Sequence, residues 1–412
     1  MNAPAKGAPG FAGVTYEDAL ASASALVPAL RERAARAEDA RIMLPETLAD
    51  LHRTGLLRVL QPRRWGGMEF EFVANFDVPC ELARGCASTG WNVANFLIHH
   101  WMLALYDERA QDEVWGQNPD SLIASGIAYP QGQGRAADGG FIVSGRWNFS
   151  SGVNVADWNM LAVTVREGEG RAGEGRAGDK VIDHRMCLLH KSEYEVVDDW
   201  QVLGMRSTGS MTVVAKDVFV PVHRALCMYE ARGGDRFPGA RANPHPVYRV
   251  PLSSLGGHGI GGVAVGNAQA ALELSIEVVK QRSTSYTGLK MRDFQAVQLR
   301  IGAAAARIDA ARQILRNDSI EAQEIANRNV IADPERKLRF KRNLAYAVSL
   351  CTEAVDILHA MAGANGIYDG YPIQRIFRDA HALAGHFSFS TDAQFSTWGL
   401  AALGGEVVNP TL

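Results

Sequence analysis

Residues 144–152 read SGRWNFSSG and residues 198–221 read DDWQVLGMRSTGSMTVVAKDVFVP, and these two stretches decide the fold. Each joins a run of aromatic or β-branched residues to a Gly/Ser turn, which is the pattern of short strands. The same texture fills Ser121 to Pro221, in SLIASGIAY, FIVSGRWNF, WNMLAVTV, RMCLLH and MTVVAKDVFV, separated by Gly, Asp and Ser clusters. One connection, GEGRAGEGRAGDK, repeats the unit GEGRAG and holds no apolar residue larger than Ala, as an exposed loop does.

On both sides the apolar period lengthens to that of helices. Upstream, Leu20, Leu26, Leu30 and Ala34 mark one helix, Pro45 opens a second that Gly55 helps to end, and Val73 to Arg84 and Ser88 to Tyr106 read as two more. Downstream, one stripe runs through Ala268, Leu272, Ile276 and Val279. A second runs through Phe294, Val297, Ile301, Ala305, Ile308 and Leu315, and a third through Leu344, Val348, Cys351, Val355, Leu358 and Ala362. A fourth helix is expected from about Asp379 to Leu403. The chain thus reads as α+β, mostly α: a flexible arm over 1–14, a helical domain over 15–120, a β-barrel-like domain over 121–235 with a mobile loop at 167–180, and a helical bundle over 236–412.

Composition excludes several function classes. With 42 basic and 45 acidic residues the 412-residue chain carries a net charge of −3 and no run dense enough in Lys and Arg to neutralise phosphates, so nucleic acid is not an expected partner. Cys80, Cys86, Cys187, Cys227 and Cys351 are odd in number and scattered, which suits reduced core thiols in the cytoplasm. The most apolar segments, Leu97–Tyr106 and Ala19–Leu30, are interrupted by His99-His100 and by Pro28, so neither is expected to span a membrane. Glu17 and Asp18 stand where a secretory leader would carry positive charge. No HExxH, paired-Cys or P-loop spacing is present, and LGGHGIGGVAVG lacks the strand and acidic residue of a dinucleotide site; its glycines suit close helix packing or cofactor approach.

Five local sequences, in order, resemble the acyl-CoA dehydrogenase superfamily: IAYPQGQGRA, SGRWNFSSG followed by ADW, DDWQVLGMRSTGSMTVVAKDVFVP, QRSTSYTG and MAGANGIYDGYPIQRIFRDA. The resemblance covers nearly the whole chain. It implies an acyl-CoA dehydrogenase fold with flavin at the junction of three domains, and a homotetramer in which the bundle pairs subunits and the tail EVVNPTL reaches a neighbour. It also implies that Trp147, Phe149, Ser150, Ser151 and Arg282 bind the cofactor. Trp147 also suits ordinary sheet packing, and Arg282 is one of many arginines.

A dehydrogenase of this fold needs a Glu base to take the proton beside a thioester. The two positions that supply it in the family fall here on or about Phe387 and near Leu255 and Gly256, none of them acidic. In their place AGHFSFS offers His386, and the region resembles the oxygenase components of two-component flavin-dependent monooxygenases, which include hydroxylases of 4-hydroxyphenylacetate and of phenolic steroid intermediates. That branch implies reduced flavin (FMNH2 or FADH2) from a separate NAD(P)H-dependent flavin reductase, O2 as cosubstrate, a C4a-hydroperoxyflavin, and a small aromatic, phenolic substrate. Ser151 is then expected to donate to the flavin near N5, and His386 to act as a base titrating near neutrality. His99 is a third catalytic candidate, since neighbours on the helix LIHHWML point about 100° apart and one of His99 and His100 faces a given pocket. His386 also suits a capping role, and His99 a packing one. A pocket wall of Phe72, Trp101, Phe387 and Phe389 is expected. Asn154 stands where related hydroxylases often carry a His. Acyl-CoA oxidation with a displaced base, N- or S-oxidation, and a non-catalytic binding role are the alternatives.

Overall fold

The structure is a computed structural model that describes residues 10–127, 131–166, 180–284 and 287–407. The tip of IAYPQGQGRA at 128–130, nearly all of the expected mobile loop, the centre of QRSTSYTG and the end of the C-terminal tail lie outside the described residues, as does most of the N-terminal arm.

Five helices come first: α1 (Tyr16–Ala40), α2 (Pro45–Thr54), α3 (Ala74–Ala83), α4 (Ala87–Leu103) and α5 (Glu108–Val114). Thr15 caps α1 with a reciprocal Asp18 bond, Pro45 occupies the first turn of α2, and Gly55 ends α2 at φ 73°. Eight strands follow: β1 (Ile123–Gly126), β2 (Gly132–Ala137), β3 (Gly140–Ser150), β4 (Trp158–Arg166), β5 (Val181–His190), β6 (Glu195–Val197), β7 (Met211–Pro221) and β8 (Ala225–Cys227). They form one sheet in the order β6-β7-β3-β2-β4-β5-β8, with β1 added parallel to β4. No pairing joins β6 to β8 among the described residues, so the sheet has edges rather than closing on itself.

The chain then turns helical again through α6 (Leu252–Leu255), α7 (His258–Gln281), α8 (Gln295–Asn327), α9 (Pro334–Ala362), α10 (Pro372–Ala384) and α11 (Thr391–Ala402). The expected single helix from Asp379 to Leu403 is in fact two. His386 caps a 3-10 turn over Phe387–Phe389 and Ser390 caps α11, so the backbone bends between them. α9 contains the one described stretch long and apolar enough to cross a bilayer by composition, and 56% of it is buried inside the protein.

Two apolar cores meet at α3 and α4. One joins the N-terminal helices to the sheet; the other joins α3 and α4 to α7, α8, α9 and α10. The glycines of LGGHGIGGVAVG serve the second: a Cβ at Gly262 would lie 2.6 Å from the Phe76 carbonyl, and one at Gly266 would lie 2.0 Å from that of Cys80. Their absence of side chains is what lets α7 approach α3. All five cysteines are free thiols, four of them buried.

Candidate active site

The register of β3 against β7 slips between Trp147 and Ser150. A bulge there re-aims the residues that follow it, and Phe149 takes up φ 65°, a left-handed conformation that a bulky side chain rarely adopts. Phe149 is 68% exposed, with its ring centroid 6.0 Å from that of Trp200. Ser150 turns the other way, fully buried, and its Oγ accepts from Asn159 Nδ2 at 2.9 Å. Ser151 faces α4, where Trp91 Nε1 donates to its Oγ at 3.1 Å.

Ser151 Oγ lies 2.8 Å from Ser210 Oγ, and Ser210 Oγ lies 2.7 Å from Thr208 Oγ1, which donates to the Met205 carbonyl at 2.8 Å. The loop carrying Thr208 and Ser210 is held from behind by α10. Asp379, fully enclosed, accepts from Met205 N–H at 2.6 Å, and burial raises its carboxyl to about 6. A Cβ at Gly204 would lie 2.3 Å from the Arg378 carbonyl, so only glycine permits this contact.

Trp91 also makes the second half of the site. Its ring meets His386 edge-on at 5.7 Å and Phe389 at 6.3 Å, while His386 and Phe389 are 5.3 Å apart. His386 Nδ1 accepts from Ser388 N–H at 3.2 Å, which puts the ring proton of the neutral imidazole on Nε2. Nε2 has no protein partner among the described residues, and burial pushes the imidazole down to about 4. Burial thus favours the neutral imidazole, where the sequence had led us to expect a ring titrating near neutrality.

Ser151 and His386 are thus brought together through Trp91, a residue that the sequence did not single out. The other candidates lie elsewhere. Trp147 is fully buried, its Nε1 donating to the Ala162 carbonyl at 2.8 Å; Cβ atoms at Gly126, Gly132 and Gly145 would each lie 2.6 Å from it. Those glycines make a slot for the indole and leave no ring face open, so the exposed aromatic at this edge is Phe149. His99 is 3% exposed with Nδ1 2.6 Å from the Ile123 carbonyl, and His100 accepts from Trp115 Nε1 at 3.1 Å. Phe72 and Trp101 pack on each other in the first core, fully buried, and Phe387 is 74% exposed; of the expected pocket wall only Phe389 joins the site.

Arg282 caps the far end of α7, donating to the Ala362 carbonyl at 3.3 Å. The near end of α7 adjoins His386, since a Cβ on Gly257 would lie 3.6 Å from that of Ser388. The 24 residues between them span about 36 Å. At the near end, Ser254, His258 and Asn75 carry buried polar atoms without hydrogen-bond partners, with His258 Nε2 3.6 Å from Asp318. A carboxylate at Phe387 or Leu255 would have completed a thioester-oxidising site, but Leu255 is fully buried, and no Asp or Glu hydrogen-bonds to Trp91, Ser151 or His386 among the described residues.

The group fits a reduced flavin in its chemistry: an exposed aromatic at a strained bulge, an acceptor oxygen at Ser151, and an aromatic trio around one N–H donor. Residues 21–117 match the acyl-CoA dehydrogenase N-terminal domain and residues 258–391 its C-terminal domain. The chain is 38% identical to the flavin-dependent monooxygenase oxygenase subunit HsaA of Mycobacterium tuberculosis, over 89% of this chain and 90% of that one. It is 33% identical to the FADH2-dependent resorcinol hydroxylase oxygenase component of a Rhizobium species, over 91% of each. The solved structure of a 3-HSA hydroxylase from Rhodococcus sp. RHA1 superposes with a TM-score of 0.89 at 32% identity, covering 96% of this chain and 99% of that one.

Proposed function

The chain belongs to the acyl-CoA dehydrogenase superfamily and, within it, to the oxygenase subunits of flavin-dependent monooxygenases, and on that basis we propose that it hydroxylates a small phenolic ring. Reduced flavin comes from a separate NAD(P)H-dependent reductase, and O2 is the cosubstrate. When bound, the flavin supplies the electrons and the oxygen-activating ring. Everything else falls to the side chains of this chain.

Trp91 carries this reading, because it ties the flavin-side hydroxyl of Ser151 to the substrate-side imidazole of His386. Ser151 fixes the flavin edge. Phe389 and Trp91 supply apolar surface that excludes water and accepts a flat ring. His386 Nε2–H donates to the phenol oxygen and favours its anion, from which electrophilic attack on the ring is faster. Among the described residues no carboxylate hydrogen-bonds these groups, so proton abstraction next to a thioester has no base there.

Two further parts belong to this reading. The flavin is read as lying at the junction of a helical, a sheet and a bundle portion, divided at about residues 120 and 235. Arg282 stands at the opposite end of α7 from His386, about 36 Å along the helix, and is read as serving the flavin site of a neighbouring subunit in a homotetramer. His99, whose Nδ1 is tied to Ile123, is assigned to holding α4 on β1. A cytoplasmic location belongs to the same reading, and the five free thiols are consistent with it.

The test is turnover with a flavin reductase, NADH and a panel of simple phenols, set against acyl-CoA thioesters with an artificial electron acceptor. Phenol-dependent product without thioester oxidation is expected; thioester oxidation alone would overturn the reading.

A further inference from the structure

Hydroxyl groups own one proton each, and that arithmetic fixes the direction of the hydrogen bonds behind Ser151. Thr208 Oγ1 lies 2.8 Å from the Met205 carbonyl, which only accepts, so the Thr208 proton is spent there. The 2.7 Å contact between Ser210 and Thr208 must then use the Ser210 proton. The 2.8 Å contact between Ser151 and Ser210 must in turn use the Ser151 proton. Ser151 Oγ takes one bond from Trp91 Nε1–H at 3.1 Å, and what remains on it is a single lone pair.

We infer that Thr208 and Ser210 are positioning residues that make Ser151 an obligate hydrogen-bond acceptor, and that this polarity selects reduced over oxidised flavin. The inference rests on the reading that a flavin edge lies against Ser151. Reduced flavin carries a proton on N5 and donates to an acceptor. Oxidised flavin presents a lone pair at the same atom, so it faces the Ser151 lone pair without a proton between them. The relay is largely closed to water: Ser210 is 4% exposed, Thr208 1% and Ser151 8%. Reversing it withdraws the Thr208 proton from the Met205 carbonyl, which then keeps only its bond from Thr208 N–H at 3.1 Å, so oxidised flavin is met at the cost of that hydrogen bond. The expectation from sequence that Ser151 donates is thereby turned round.

The experiment measures dissociation constants for reduced flavin, anaerobically, and for oxidised flavin, in wild type, Ser210→Ala, Thr208→Val, Thr208→Ser and Ser151→Ala, with thermal melts to establish folding. In Ser210→Ala, Ser151 loses its acceptor and its proton turns to the ligand. In Thr208→Val, Ser210 donates back to Ser151 with the same result. Both variants are expected to bind oxidised flavin about three- to tenfold more tightly relative to reduced flavin, the worth of one neutral hydrogen bond. Thr208→Ser keeps the wild-type ratio. A structural role alone would weaken both redox forms together and leave the ratio unchanged, and that result overturns the relay. If Ser151→Ala alters binding of neither form, the flavin does not lie on Ser151, and the functional reading beneath the inference fails with it. If Ser151→Ala weakens reduced flavin while Ser210→Ala and Thr208→Val leave the ratio intact, the relay alone fails.

Discussion

Trp91 Nε1 donates to Ser151 Oγ across 3.1 Å, joining helix α4 to the bulged end of strand β3. The bond spans 60 residues of sequence and fixes the one hydroxyl at this edge that also faces His386 through the same indole. Replacing Trp91 with Phe keeps an aromatic ring against His386 and Phe389 and removes only the donor. The variant is expected to fold and to lose about 1 kcal/mol of the restraint on Ser151, seen as a several-fold rise in hydrogen peroxide formed per hydroxylated product. Unchanged coupling would show that the Trp91–Ser151 bond does not matter to the site.

His386→Ala removes the Nε2–H donor from a half-buried position and is expected to spare the fold. Product formation should fall by about two to four orders of magnitude while oxygen consumption continues as peroxide. Wild-type coupled turnover in this variant would leave His386 as a cap for the turn at Phe387 and nothing more.

The state of that imidazole is separately testable. Burial pushes it to about 4, so its ring resonances should not titrate between about pH 5.5 and 8. A midpoint near 6.5 by NMR would restore the titrating base expected from sequence and contradict the neutral-donor role.

Acid stability follows from the same burial. His99 and His386 are pushed down to about 4 and His100 to about 3, from 6.5 in the unfolded chain. Because the folded values are depressed, the native state holds these rings neutral; the stability is full above about pH 6.5 and drains as the pH falls toward 4. Asp379, raised to about 6 from 3.8, has the opposite sign, taking up a proton in the native state over that lower range and offsetting one of the three. Between pH 6 and 4 a net loss on the order of 3 kcal/mol per pH unit results. Urea midpoints at several pH values check it, and a flat profile would contradict the burial of these histidines.

The slot under Trp147 gives a stability test that leaves the site untouched. A methyl group at Gly132 would sit 2.2 Å from the Ala162 carbonyl and 2.6 Å from the indole. Gly132→Ala should destabilise the sheet by about 1–3 kcal/mol or more. A melting temperature equal to wild type would mean that Trp147 is not so tightly held.

Much of this architecture is legible in the sequence because it rests on local signals. Pro45 and Gly55 bound α2, the small-residue run of α7 marks a close helix contact, and the third apolar stripe, Leu344 to Ala362, is buried throughout. The break between α10 and α11 was not read, because its cause is a side-chain cap: His386 Nδ1 and Ser390 Oγ satisfy turn N–H groups that a periodicity sees as continuous helix. Trp91 was missed for a related reason. Its neighbours Ser151 and His386 are brought to it by the tertiary fold, and helical spacing alone describes a packing tryptophan. Trp147 failed the other way: its sequence neighbourhood fits a cofactor wall, yet Gly126, Gly132 and Gly145 close over it. The direction of the Ser151 bond needed three hydroxyls from two separate loops, which no single motif contains.

The most direct measurement is turnover under 18O2 with a flavin reductase, NADH and the best phenol of the panel, followed by mass spectrometry of the product. One 18O atom per hydroxylated ring, lost together with product in His386→Ala, is the expected result. Peroxide as the only fate of oxygen, with no label in any aromatic product, would contradict the assignment of this site to phenol hydroxylation.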